Sequence, residues 1–143
     1  MIKAHEVVEL IMGSKKMQDI VAINARDSTK LSEEMAEQPA LYARYSYLYY
    51  IAKRNAASCK FALEVVYAET FSRFRSDGNA EKTTDNLVKM DERYQKARKL
   101  YLEAESEENL LRSVVENLRD RKDILVNLSA TLRAEMQTNI KVL

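Results

Sequence analysis

The chain reads as all-α, organised as a long helical hairpin, and three observations carry that reading. Among 143 residues, glycine occurs only at Gly13 and Gly78 and proline only at Pro39. A backbone that seldom needs positive φ, and is almost never denied an N–H, stays helical over long distances. Apolar residues on either side of Gly78 recur in alternating steps of four and three, the spacing of a helix seam. No stretch alternates apolar and polar residues long enough to predict a strand.

The elements follow in order, within a single domain over residues 1–143. Residues 1–38 form an N-terminal segment of short helices. Val7, Leu10, Ile11, Met17, Ile20 and Val21 give helical spacing over residues 4–25, divided at Gly13-Ser14. Asp27, Ser28 and Thr29 are good N-cap residues, with Glu33 and Glu34 soon after where acids suit the helix dipole. Pro39 disfavours helix at Gln38 and is at home in a first helical turn. The expectation is a fresh helix at Pro39, or one helix kinked there.

Residues 39–77 form the first long helix. Its seam is Leu41, Tyr45, Leu48, Ala52, Asn55, Cys59, Ala62 and Val66, with a small-residue middle that lets a neighbour approach closely. Five of the eight tyrosines lie between Tyr42 and Tyr50, on several faces at once. The turn Ser76-Asp77-Gly78-Asn79 ends this helix. Thr83 or Thr84 is then expected to cap a second long helix, residues 82–143. Its coiled-coil-like seam runs Met90, Tyr94, Ala97, Tyr101, Ala104, Glu108, Leu111, Val115, Leu118, Lys122, Leu125, Ser129, Leu132 and Met136. Helices so long and leucine-lined are expected to assemble into a homo-oligomer, with Leu111, Val115, Leu118, Leu125, Leu128 and Leu132 as the assembling residues.

Charge is balanced overall, with a formal net charge of +1, so any anion-binding role must come from its distribution. Arg44, Lys53, Arg54, Lys60, Arg73 and Arg75 are opposed over their span only by Glu64 and Glu69. Glu103, Glu105, Glu107, Glu108 and Glu116 outnumber Arg112 in the second helix. Lys53, Lys60, Tyr67 and Phe74 share one helical stripe, and Arg54, Phe61, Ala68 and Arg75 the next. Cations interleaved with rings suit single-stranded nucleic acid, which offers phosphates and unstacked bases. The candidate DNA-binding residues are Lys53, Arg54, Lys60, Arg73 and Arg75. The plainer alternative is rings packed on the turn with solvated cationic heads.

The residues of common catalytic and metal sites are scarce. His5 is the only histidine and Cys59 the only cysteine, too few for a zinc set. The two glycines are too far apart for a phosphate loop. The carboxylates read as solvated helix faces, so the expectation is a non-enzymatic protein without cofactor or metal. A lone Cys59 suits a reducing compartment. No apolar run approaches the ~20 residues that span a bilayer, and no secretory signal opens the chain. The expected location is cytoplasmic.

Asp27-Ser28-Thr29-Lys30-Leu31, then Leu41-Tyr42 and Tyr45, a basic helix and a glycine turn resemble the UvsY-type recombination mediators of tailed phages. Arg119-x-Arg121 followed by Ile124, Leu128 and Leu132-Arg133-Ala134 is similar to their tail. The resemblance implies a ring of six or seven subunits in the host cytoplasm. It implies binding to single-stranded DNA, and contacts with a phage recombinase and a phage single-strand-binding protein. The mediator would help the recombinase displace that protein and load onto DNA. A gapless match sets the family's basic pair near Ala68 and Thr70, with Arg73 and Arg75 close by. The alternative is a structural or chaperone-like helical assembly protein of a phage that binds no nucleic acid.

Overall fold

The computed structural model describes residues 22–23 and 28–142. The helices expected over residues 4–25 otherwise lie outside these. Every element among the described residues is a helix. Helix α1 spans Ser28–Ser76, α2 spans Glu81–Met90 and α3 spans Glu92–Val142. With 49 and 51 residues, α1 and α3 are each about 75 Å long at 1.5 Å per residue. They pack antiparallel along their length, and α2 folds against both beside the tip.

Pro39 does not divide α1, which runs unbroken through it. An interior proline removes one ladder hydrogen bond and costs about 3 kcal/mol. The helix continues because its buried face seats on both sides of the proline, through Leu31 and Gln38 before it and Tyr45 and Leu48 after it. The helix begins at Ser28, one of the three expected N-cap residues, and continues past Glu37 through Pro39.

The turn forms where the sequence placed it. Gly78 adopts φ +87°, a conformation that costs any residue with a Cβ about 1–2 kcal/mol. The last carbonyls of α1 are satisfied locally. Asp77 N–H donates to Arg73, Gly78 N–H to Arg75, and the Asn79 side-chain amide to Phe74. The cap expected at Thr83 or Thr84 is corrected. The N-cap of α2 is Ala80, without a side-chain cap, and Thr84 is buried inside the helix.

The single second long helix is also corrected, because the chain breaks at Asp91. Its backbone is extended there, and its carboxylate accepts the N–H groups of Arg93 and Tyr94 at 3.0 and 3.4 Å. These are the hydrogen bonds of an N-cap. Asp91 therefore ends α2 and starts α3.

The main apolar cluster joins Tyr45, Leu48 and Ala52 of α1 to Leu111, Val114, Val115 and Leu118 of α3, with Leu41, Tyr42 and Tyr49 against its edge. The predicted seams are right at one end and displaced at the other. In α1, Asn55 and Ala62 are exposed, while Ala56 is buried and Leu63 half-buried. A step of four from Ala52 to Ala56, where a step of three was expected, shifts the line by one residue. In α3, Lys122 is exposed and Arg121 buried; Met90, just before α3, is exposed too. From Leu111 onward the inward line is Leu111, Val114, Leu118, Arg121, Leu125 and Leu128, with Val115 also covered. A helix of 3.6 residues per turn drifts about 20° per heptad against a seven-residue repeat. The neighbouring flank position then takes over as the inward one.

Candidate nucleic-acid interface

The outward face of α1 carries the candidate surface. Residues two apart on a helix lie about 200° apart, so Arg54 faces away from buried Ala52. Tyr47, Tyr50, Arg54, Ala57 and Phe61 follow in steps of three and four, which keeps them in one row on that outer side. Tyr47, Tyr50 and Phe61 are 65%, 59% and 68% exposed, unusually open for large rings. Lys53 and Lys60, seven residues apart, run beside the row and are exposed, as is Arg54. Among the described residues none of these three cations makes an ion pair.

Arg73 and Arg75 are placed differently. Arg73 pairs with Asp91 at 2.9 Å and lies over the Phe74 ring, 5.0 Å from its centroid. Arg75 donates to the Asn79 carbonyl at 2.8 Å. Both are exposed, but both fasten the hairpin tip. The rings at the lower end of the predicted stripes are likewise engaged. Tyr67 stacks on Phe71 and meets Tyr94 edge-on, and its hydroxyl donates to Asp85 at 2.9 Å. The structure thus divides the five candidates into an open group on the middle of α1 and a pair built into the tip.

Ionisation at the tip follows these contacts. Hydrogen bonds from Lys89 and from Tyr67 hold Asp85 below its ordinary value of 3.8. The same carboxylate raises Tyr67 and Lys89. Burial pushes Asp91 upward, but the Arg73 guanidinium and the Tyr94 and Arg93 N–H groups together bring it below 3.8. Farther along, Arg119 lowers the Tyr42 hydroxyl through a hydrogen bond and its charge.

Two acids of α3 are engaged by neighbours on their own helix. Glu105 accepts from the Tyr101 hydroxyl at 3.0 Å, and Glu108 pairs with Arg112 at 2.8 Å. Arg112 also donates to the Tyr49 hydroxyl at 3.2 Å, tying α3 to α1.

The predicted assembly residues line the inside of the hairpin. Leu111, Val115, Leu118 and Leu125 are at most 8% exposed within one chain, and Leu128 and Leu132 are half-buried. Beyond them Met136 and Ile140 are open, at 53% and 71%.

A polar layer missed by the sequence reading closes the other end of the core. Arg121, 3% exposed, donates to the side chains of Glu34 and Gln38, and Gln38 donates to the Leu118 carbonyl at 2.6 Å. Its available signal was a glutamate and glutamine four apart on α1, whose buried face lacked a large apolar residue at Gln38.

No described helix is long and apolar enough to cross a membrane. Comparison with protein families, curated proteins and solved structures finds no match.

Proposed function

We propose that the chain is a non-enzymatic mediator that binds single-stranded DNA as a homo-oligomer. It would help a phage recombinase load onto DNA covered by a single-strand-binding protein. One observation carries the DNA part: Lys53, Arg54 and Lys60 lie open beside Tyr47, Tyr50 and Phe61, without a described acidic partner. The cations meet phosphates and the rings take unstacked bases, each base–ring stack being worth about 1–3 kcal/mol. The resemblance to the UvsY-type mediators supplies the recombinase and single-strand-binding protein as partners, and a ring of six or seven subunits.

Repetition is the physical point of the ring. One subunit makes few phosphate contacts, and linked copies act at high effective concentration. Because the Leu111, Val115, Leu118 and Leu125 line is covered within the chain, assembly uses the seam's open continuation: Leu128, Leu132, Met136 and Ile140.

The test is binding of a labelled oligothymidylate, followed by anisotropy over a salt series. Replacing Lys53, Arg54 and Lys60 together by alanine should weaken binding and lower the log–log salt slope by about 2 for each subunit engaged, at roughly 0.7 per contact. Arg73→Ala with Arg75→Ala should change the slope less. Equal affinity and slope in the triple variant would falsify the DNA assignment. The open rings would then favour a structural helical assembly protein.

A further inference from the structure

We infer that residues 28–38 of α1 form a proline-hinged arm, held against α3 by the buried Arg121 and able to open while the rest of the hairpin stays paired. Three independent features meet at this level of the molecule.

The first is covalent. Pro39 has no N–H to give the Met35 carbonyl, and its ring crowds the turn before it. The helical ladder joining the arm to the rest of α1 is weakest there.

The second is in the packing. The main apolar cluster stops at Leu41, Tyr42 and Leu118. Leu31 and Leu125 are buried, at 4% and 1%, yet belong to no part of that cluster. Gln38 and Arg121 form a buried polar layer at this level, so among the described residues the main apolar cluster does not extend to Leu31 and Leu125.

The third is the fastening itself. Beside the buried Leu31, polar bonds from the arm to α3 converge on one guanidinium. Arg121 Nη1 donates to Gln38 Oε1, and Nη2 to Glu34 Oε2 and, at 3.4 Å, to the Ala22 carbonyl. Gln38 Nε2 completes the set on the Leu118 carbonyl. Arg121 Nε is buried without a partner, so the latch is incompletely satisfied. A segment set off by a weakened ladder and a polar layer opens as a local unit rather than with the whole fold. Opening would bare Leu125 and leave Tyr45, Leu48, Leu111 and Leu118 packed.

Hydrogen exchange on the full-length chain, read by mass spectrometry, tests this with two variants. Arg121→Met removes the buried cation while keeping an apolar stem, and Glu34, on the rim, can turn to water. Amides of residues 31–38 should then exchange faster by tenfold or more, about the loss of one or two hydrogen bonds to a charged group. Amides of residues 45–56 should be unchanged. Pro39→Ala restores the missing N–H. It should slow exchange in residues 31–38 and bring their opening together with that of residues 40–48. The arm does not exist as a unit if Arg121→Met speeds exchange uniformly along both helices or leaves residues 31–38 untouched. Nor does it if Pro39→Ala fails to couple the two segments.

Discussion

Leu118 is fully buried among Tyr45, Leu48, Val114 and Val115, and its carbonyl receives the Gln38 amide. Truncation there removes contacts from both helices at once. Leu118→Ala should lower unfolding free energy by about 2–5 kcal/mol, the range for a buried leucine whose cavity collapses only partly, as measured by denaturant melts. Leu118→Asp would bury a charge with no partner. Its effect should be loss of helical circular dichroism, because this side chain faces the chain's own other helix. Tyr47, Tyr50 and Phe61 behave oppositely at the same scale. Their rings touch little, so alanine there should leave the melt within about 0.5 kcal/mol while any binding function is lost.

The short helix α2 and the caps beside it behave as an electrostatic unit. Asp85 and Asp91 are both held below their ordinary value by partners on α1, α2 and α3. A carboxylate whose folded value is depressed binds its proton more weakly than in the unfolded chain. Its stabilising share is therefore present above the ordinary value, near pH 4. It is lost as pH falls through the lowered folded value. The melting temperature should fall below pH 4, and Asp85→Asn should flatten that acid limb while slightly lowering stability at pH 7. A limb unchanged in this variant would mean that the Tyr67–Asp85–Lys89 contacts do not form in solution. The cationic partners Lys89 and Arg73 are open to solvent, so the effect is modest and weakens with added salt.

At the scale of the whole molecule, the described residues form a rod about two helices wide, with a seam that is covered for most of its length and open at one end. Leu128 and Leu132 are half-buried, and Met136 and Ile140 continue the line in the open. The proposed assembly through this end predicts that Met136→Glu with Ile140→Glu reduces native mass to that of a single chain and leaves the melt nearly unchanged, since neither exposed side chain supports the hairpin. Sedimentation with and without an oligonucleotide reads both assembly and ligand. An unaltered assembly in this variant would move the contact to another surface, and the outer row of α1 is the next candidate.

The sequence by itself determined the helical character, the turn at Gly78 and the basic, ring-bearing stretch on α1. Each follows from local chemistry: absence of breakers, one residue able to take positive φ, and side-chain type at fixed spacing. Only the tertiary structure decided which of two adjacent residues faces inward, as with Arg121 over Lys122 and Ala56 over Asn55. A periodic pattern fixes a helix face to within one position, and the drift between 3.6 and 3.5 residues per turn is resolved only against a partner. The break at Asp91 also needed the third dimension, because its carboxylate answers to Arg73 on another helix as well as to its own α3. The same holds for the five basic candidates. Lys53, Arg54 and Lys60 stand open, whereas Arg73 is held by Asp91 beyond the turn and Arg75 by the Asn79 carbonyl within it, and neither contact exists until the turn has folded.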